Sequence, residues 1–367
     1  MNLENRESGE SLFSAFFRVV KNLLVTALKT AIMKFYLALA LASFASTDAL
    51  SSKDIDDLKT VVQSSLEDWF KEKSCNSLPT CFESKDNVAA PAVSASGDYI
   101  PTVFMHGLGD SGGNRGMKNL AKTVSDTYPG AYSVAVKVAD GISSYTENMD
   151  KQVKEFAEAV KADPNLADGF NAVGLSQGGL IVRAYVEQYN DPKVHNLVSL
   201  CGPQGGIGDC PKGTPSWMCS VGKDVMYSAG FSFSGYWKDT EGDADKAKAK
   251  YLDKSPYLAD VNNDRDEKND SYKQNMISLN KYVMVKALND TVVAPKESEF
   301  HDFFPWGSTE DIEEYKSTEA YENDWIGLRS LDEAKKIDTY TYEGDHLRWS
   351  DDFWKDTVLP YLGDKFA

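Results

Sequence analysis

The feature that most constrains the fold of this chain is a regular alternation of short apolar runs and amphipathic stretches, which begins at Tyr99. The spacing predicts strands at 100–105, 132–138, 170–173, 194–200, 282–287 and 337–342, and helices at 117–128, 149–162, 178–189 and 352–362. A strand–helix–strand order joins strands that run in the same direction. The alternation therefore predicts an α/β domain with a mostly parallel sheet and helices on both faces.

One motif defines a turn within this alternation. Residues 174–178 read Gly-Leu-Ser-Gln-Gly, which matches G-x-S-x-G and lies between a predicted strand and a predicted helix. In that context the serine sits on a strained turn that lifts its hydroxyl off the sheet, and the small flanking residues let strand and helix approach. The motif predicts an α/β-hydrolase fold with Ser176 as its nucleophile.

A serine hydroxyl is a weak nucleophile and needs a base that a third group orients. In this fold the acid and then the histidine follow the serine along the chain. His346 follows the last predicted strand, and Asp290 ends the strand before it, at the sheet edge where ligands gather. Asp345 is a competing acid, but its place beside the histidine favours a structural role. His195 and His301 lack a strand end to present them, so we expect surface or satisfied core residues.

The loop after the first strand reads His-Gly-Leu-Gly-Asp from His106. Its glycines permit close approach of the backbone to the serine turn. We expect the backbone N–H groups of Leu108 and Gln177 to form an oxyanion hole, where two such donors stabilise a transition state by several kcal/mol. His106 is then a structural residue of the loop.

Composition argues against other classes of function. The chain has 56 acidic and 39 basic residues and a net charge of −17, so its surface repels phosphate backbones and nucleic acid is a poor partner. Four histidines, and five cysteines without a CxxC pair, give little support to a metal site. The predicted chemistry needs no metal and no cofactor.

The N-terminal 45 residues contain a targeting signal. Lys34 precedes an apolar run at 35–42, and small residues follow at the usual cleavage spacing. A signal peptide of ordinary length begins at Met33, so 1–32 are either a misplaced start or a long n-region, and a retained signal anchor is the alternative. We expect no stable membrane span in the mature protein. We expect residues 46–98 to form a helical extension and linker, and residues 99–367 to form the hydrolase domain.

Residues 202–275 interrupt the alternation and predict a cap-like insertion. It holds an aromatic group, which consists of Tyr227, Phe231, Phe233, Tyr236 and Trp237. Two interpretations stay open: the group is the small core of the insertion, or part of it, with Phe231, Phe233 and Trp237 as candidates, forms a groove for an acyl chain.

Cysteines and sequons fit a secretory route. In an oxidising compartment two short loops can be closed by disulfides, Cys75–Cys81 and Cys210–Cys219. Cys201 is then left as a buried structural thiol. Two N-glycosylation sequons begin at Asn269 and Asn289.

Several stretches together resemble the palmitoyl-protein thioesterase family over about residues 99–364. They are GLSQGG at 174–179, HGLGDSGGN at 106–114, NDSYKQNM at 269–276, KYVMVKALNDTVVAP at 281–295 and YEGDHL at 342–347. The resemblance implies removal of long-chain acyl groups from the cysteine thioesters of S-acylated proteins or peptides, in a lysosome or an equivalent compartment. We expect the secretory pathway to deliver the protein to a lysosome or vacuole or to the outside of the cell.

The resemblance also implies roles for individual residues of the site. Ser176, Asp290 and His346 match the nucleophile, acid and base of the family, and Leu108 and Gln177 match its oxyanion positions. Cys210 and Cys219 match its disulfide pair. Gly112-Gly113 stands where some members have two cysteines.

Two alternatives remain beside this hypothesis. A secreted lipase or carboxylester hydrolase would use the same triad on oxygen esters. A catalytically inactive hydrolase fold would instead bind lipid, although an intact Ser, Asp and His argue against it.

Overall fold

A computed structural model describes residues 98–209, 227 and 231–366 of the chain. The predicted targeting signal, nearly all of the 46–98 extension and both predicted disulfides (Cys75–Cys81 and Cys210–Cys219) lie outside these residues.

Six strands form one sheet, and every neighbouring pair in it is parallel. The strands are β1 (Thr102–Met105), β2 (Ser133–Ala135), β3 (Phe170–Leu175), β4 (Val194–Leu200), β5 (Lys281–Ala287) and β6 (Ile337–Tyr342). Their order across the sheet is β2-β1-β3-β4-β5-β6. The predicted parallel α/β architecture of a hydrolase is confirmed.

Helices connect the strands. They are α1 (Arg115–Thr127), α2 (Ser143–Thr146), α3 (Met149–Ala162), α4 (Gln177–Gln188), α5 (Ala244–Lys254), α6 (Leu258–Val261), α7 (Asp270–Ile277), α8 (Glu319–Glu322), α9 (Leu328–Glu333) and α10 (Asp351–Phe353). Short 3₁₀ turns occur at Pro164–Leu166, Ser232–Tyr236, Lys296–Phe300 and Tyr315–Ser317.

The side chains of each strand alternate between two buried clusters, one on each face of the sheet. In β5, Tyr282 and Met284 join the cluster covered by α3 and α4, whereas Val283 and Val285 join the cluster covered by α1 and the C-terminal turns. This period of two is what a strand between two helical layers requires. Each large apolar side chain buried in this way contributes about 1.5–3 kcal/mol.

Two predicted elements differ from the structure by more than two residues at an end or in the type of helix. The strand expected at 132–138 keeps only Ser133–Ala135, because the loop after β1 crosses it: a Cβ at Gly112 would overlap the carbonyl oxygen of Val136. The helix expected at 352–362 is a run of three forms, α10, a π turn at Trp354–Val358 and a 3₁₀ turn at Leu359–Leu362. A regular α-helix does not continue through Pro360, which has no N–H to donate.

The segment between β4 and β5 contains the 3₁₀ turn Ser232–Tyr236 and helices α5 to α7. The end predicted for the insertion, residue 275, falls inside α7. This helix packs against α4, so it belongs to the helical layer of the sheet.

The order of the strands positions the site. β1 and β3 are neighbours, and the chain leaves them toward β2 on one side and β4 on the other. Such a reversal opens a crevice at the carboxyl ends of the two strands, which is where ligands bind in open α/β sheets. The loop from His106 and the turn at Ser176 both lie there. None of the helices in the described ranges has the length and apolar character needed to cross a membrane.

Candidate active site

Ser176 occupies the sharp turn between β3 and α4. Its φ of 53° and ψ of −122° lie in a strained region for a residue with a side chain. Two glycines make the turn possible. A Cβ at Gly174 would overlap the carbonyl of Gly178, and a Cβ at Gly178 would overlap the carbonyls of Met105 and His106. The small residues of the motif are therefore needed for close packing.

His346 and Asp290 follow β6 and β5, which are adjacent strands. The Ser176 Oγ lies 2.9 Å from His346 Nε2, and His346 Nδ1 lies 2.6 Å from Asp290 Oδ2. The histidine side chain is 12% exposed, whereas that of the aspartate is fully buried. The structure thus brings the three predicted residues into one hydrogen-bonded chain.

The Asp290 carboxylate is held from its other side as well. Its Oδ1 accepts hydrogen bonds from the backbone N–H groups of Val292 at 2.7 Å and Val293 at 2.8 Å. Burial alone would raise the pKa of Asp290, but the hydrogen bond with His346 and these amides outweigh it, so that the pKa lies below its usual value. The carboxylate is ionised when it faces the imidazole.

Asp345 has a different role in the structure. Its Oδ1 accepts from the backbone N–H of Thr291 at 2.9 Å and from that of His346 at 2.7 Å. It therefore ties together the loops after β5 and β6, and its hydrogen bonds to His346 involve the backbone alone.

The expected oxyanion donors lie on two segments that approach each other. A Cβ at Gly107 would come within 3.0 Å of the Ser176 Cβ, so the loop that carries Leu108 passes directly beside the serine. Gln177 is the first residue of α4, where backbone N–H groups have no partner within the helix. The next loop amide, that of Gly109, donates to Ser144 Oγ at 2.7 Å and anchors the loop.

His106 is 1% exposed at the base of this loop. Its Nδ1 lies 2.8 Å from the carbonyl of Gly107, and its Nε2 lies 2.8 Å from the carbonyl of Val138 and 3.1 Å from Asp140 Oδ1. Burial opposes an imidazolium here, but the interactions with Asp140 and Gly107 outweigh it and raise the pKa of His106. Both ring nitrogens face acceptors, so His106 fixes the loop and does not face the serine.

The side chain of Gln177 forms a buried network that sequence reasoning missed. Its Nε2 donates to the Ser144 carbonyl and to Gln152 Oε1, each at 3.0 Å. Its Oε1 accepts from Ser232 Oγ and Tyr236 OH, also at 3.0 Å. The residue after Ser176 thereby holds the turn Ser232–Tyr236 against the site.

The members of the predicted aromatic group in 202–275 differ in how far the structure buries them. Phe231 and Phe233 flank Ser232, are partly exposed, and stack with ring centroids 5.4 Å apart. Trp237 is only 3% exposed and Tyr236 only 2%, so both are core residues in this structure. Of the three groove candidates, Trp237 presents almost no surface to an acyl chain.

A second acidic residue, also missed, lies behind Asp290. Glu299 is fully buried, and its Oε2 accepts from the Ala287 N–H at 3.0 Å. Its position within a Lys-Glu-Ser-Glu stretch gave no sign of burial. Cys201 is fully buried as expected, and its Sγ lies 3.2 Å from the Tyr342 hydroxyl.

One potential ligand atom from each of Cys201, Asp290, Glu299 and His346 falls within a cluster 4.8 Å across. These atoms do not fit a cation site well. Burial raises the pKa of the Cys201 thiol far above its usual range, and Asp290 and His346 hydrogen-bond to each other. We assign no metal to this cluster.

The remaining predicted residues lie away from the serine. His195 is 3.2 Å from Asp364, and His301 Nε2 is 3.0 Å from the Tyr282 hydroxyl. Both sequon residues, Asn269 and Asn289, are exposed, as an N-glycosylation site requires.

Comparison with known proteins places these features in context. A sequence profile described as palmitoyl protein thioesterase matches residues 101–346. Palmitoyl-protein thioesterase 3 of Dictyostelium discoideum is 36% identical over 272 residues, which cover 71% of this chain and 92% of that protein. Palmitoyl-protein thioesterase 1 of Caenorhabditis elegans is 31% identical over 264 residues, which cover 68% and 87%.

Two further comparisons concern a lysosomal thioesterase and a solved structure. Lysosomal thioesterase PPT2 of Rattus norvegicus is 31% identical over 252 residues, which cover 66% of this chain and 80% of that protein. Among solved structures, a monoacylglycerol lipase of Paleococcus ferrophilus aligns with 72% of this chain and 95% of its own, at 15% identity and a TM-score of 0.39.

Proposed function

This chain belongs to the palmitoyl-protein thioesterase family and is a thioester hydrolase, and from that premise we propose that it removes long-chain acyl groups from cysteine thioesters through an acyl-enzyme on Ser176. The observation that carries the proposal is the hydrogen-bonded chain from Ser176 through His346 to Asp290, at 2.9 Å and 2.6 Å.

The first half of the reaction follows from that chain. Asp290 accepts the Nδ1–H of His346, which leaves Nε2 free to accept the hydroxyl proton of Ser176. The Ser176 oxygen attacks the thioester carbonyl, and the carbonyl oxygen becomes an oxyanion against the N–H groups of Leu108 and Gln177. The carbon–sulfur bond then breaks, and the proton that His346 took from Ser176 passes to the departing cysteine sulfur, which leaves His346 neutral again. A cysteine thiolate, with a thiol pKa of about 8.5, needs less protonation than an alkoxide in order to leave.

In the second half, His346 accepts a proton from water, and the hydroxide attacks the acyl-serine carbonyl. Collapse of the second oxyanion releases the fatty acid and returns the proton to Ser176. Water and the acyl thioester are the only reactants, so the scheme needs no metal or cofactor.

S-acylated proteins and peptides are the proposed substrates. The partly exposed rings of Phe231 and Phe233 lie on the segment that Gln177 anchors beside the serine, which supports an acyl-binding role for them. Burial of each acyl methylene there is worth about 0.8 kcal/mol.

We propose the secretory pathway, and within it a lysosome or vacuole, as the place of action. Similar proteins carry the name lysosomal thioesterase, and the sequon residues Asn269 and Asn289 are exposed. Treatment of the purified natural protein with an endoglycosidase should lower its mass. Replacing both asparagines with glutamine should remove that shift, and an unchanged shift would exclude these two sites.

The decisive experiment on the chemistry combines labelling with kinetics. A fluorophosphonate probe should label the wild type and Ser125→Ala, a control at a half-buried serine of α1, but not Ser176→Ala. Acyl release by Ser176→Ala should fall at least ~10³-fold with the fold intact. Near-wild-type turnover in that variant would exclude the proposal.

Substrate class is tested separately. A palmitoyl thioester and the oxygen ester of matched structure should be compared over a series of acyl lengths. A higher kcat/KM for the oxygen ester would favour a carboxylester hydrolase on the same triad.

A further inference from the structure

A second carboxyl group lies directly behind the proposed triad. Glu299, on the 3₁₀ turn Lys296–Phe300, has no exposed surface, and its carboxyl lies within a cluster 4.8 Å across that includes the Asp290 carboxyl. The Asp290 side chain is also fully buried. Two ionised carboxylates at this distance without solvent would repel strongly, so the pair holds one proton.

The hydrogen bonds show which carboxyl keeps that proton. Three N–H groups are directed at Asp290, namely the backbone amides of Val292 and Val293 and Nδ1 of His346. Glu299 receives one, from Ala287 at 3.0 Å, and its Oε1 has no N–H or O–H donor in the described part of the chain. Charge is favoured on the carboxyl with more donors, and an oxygen without a donor is best satisfied as an O–H group.

The titratable groups that face Glu299 are Asp290 after β5, Cys201 after β4, Tyr342 at the end of β6, and His346 in the loop after β6. Burial raises the pKa of both the Cys201 thiol and the Tyr342 phenol, so neither carries charge near neutral pH. Burial, and after it the charge of Asp290, raises the pKa of Glu299 to about 10.

We propose that Glu299 is a protonated positioning residue, whose Oε1–H donates a hydrogen bond to the Asp290 carboxylate and so fixes the orientation of Asp290 toward His346. Glu299 does not touch the reacting atoms and acts through Asp290. This inference rests on the proposed role of the Ser176–His346–Asp290 chain.

Two substitutions separate this role from packing and from a charged carboxylate. Glu299→Gln keeps the shape, an acceptor for Ala287 N–H and a donor toward Asp290, but it can carry no charge. Glu299→Met keeps the volume and removes the donor. For each variant and the wild type, kcat and KM for an acyl thioester are measured against pH, together with thermal unfolding. The acid limb of kcat/KM reports the ionisation of the base in the free enzyme.

For Glu299→Gln we expect kcat within about threefold of the wild type and an acid-limb midpoint unchanged within about 0.3 pH unit. For Glu299→Met we expect a loss in kcat of about tenfold or more with KM little altered. Its acid-limb midpoint should rise, because the unassisted Asp290 carboxylate attracts the imidazolium more strongly.

A downward shift of the midpoint by about one pH unit or more in Glu299→Gln would overturn the proposal, because it would mean that a negative charge had been removed. If Glu299→Met has the kcat and the acid-limb midpoint of the wild type, the proposal is overturned too, because Glu299 would then contribute only by filling space. If Glu299→Met does not fold, the Glu299→Gln profile decides alone. Ser176→Ala is assayed in parallel. Retained activity in this variant would exclude the proposed triad, whichever result the Glu299 variants give.

Discussion

Replacing Asp290 with asparagine changes one atom of the proposed triad and leaves its shape. In the wild type, Asp290 Oδ2 accepts the Nδ1–H of His346 at 2.6 Å, so Nε2 is the nitrogen without a proton. In Asp290→Asn the side-chain oxygen is retained best at Oδ1, where the amides of Val292 and Val293 donate at 2.7 and 2.8 Å. The NH₂ group then faces Nδ1 and donates to it. His346 adopts the other tautomer, and its Nε2–H cannot accept the proton of Ser176.

The size of the effect follows from that tautomer. Loss of the base in this manner costs on the order of 10⁴ in kcat, or about 5.5 kcal/mol of transition-state stabilisation. Asp345→Asn is the matched control, since it makes the same chemical change beside the same histidine. Its oxygen can still accept from the N–H groups of Thr291 and His346, so only the strength of those bonds is reduced, by about 1 kcal/mol or about fivefold in rate.

The assay is the release of free thiol from an acyl thioester, with thermal unfolding recorded for both variants to confirm that they fold. The reasoning predicts a large loss for Asp290→Asn and a small one for Asp345→Asn. The reverse order, with both proteins folded, would refute it and would transfer the acid to the loop after β6.

Three further variants test other parts of the structure. Phe231→Ala or Phe233→Ala should weaken the preference for palmitoyl over butanoyl thioesters, measured as a ratio of kcat/KM, by more than it lowers the melting temperature; lost stability with unchanged selection would make the pair core residues. The protonated His106 stabilises the fold fully below its unfolded pKa of about 6.5, and this stabilisation is lost as the pH rises through its higher native pKa. Urea unfolding should therefore show that His106→Gln is less stable than the wild type at about pH 5. The difference in the free energy of unfolding should be smaller at about pH 9. Gln177→Leu removes both hydrogen-bonding ends of the amide and should lower the free energy of unfolding by about 2–4 kcal/mol, whereas a change below about 0.5 kcal/mol would show that the network adds little.

The sheet and the turn at Ser176 were predictable because local patterns determine them. Strands β4 and β6 and helix α3 begin and end at the predicted residues. Apolar, β-branched and aromatic residues are concentrated in the two strands, and a clear helical period marks α3. The strand ends then suggested Asp290 and His346 as neighbours, because parallel strands present their carboxyl ends at one edge.

The missed features depend on contacts between distant parts of the chain. Glu299 lies among charged residues that look solvated, and it is buried only because its turn packs against β5. The Gln177 side chain is surrounded by groups from α3 and from the insertion, and no local pattern brings these together. The length of β2 is also determined by a segment distant in sequence, because the loop after β1 crosses the chain at Val136.

The amide of Gln177 has a consequence for how substrate enters. Lifting the turn Ser232–Tyr236 would leave two hydroxyls and the amide oxygen without partners in a dry environment, at about 1–3 kcal/mol for each unsatisfied group. This turn therefore behaves as a fixed wall and not as a hinged lid. A lipase with a lid accelerates abruptly when its substrate forms an interface, whereas turnover here should rise smoothly as an acyl thioester passes through its micelle-forming concentration.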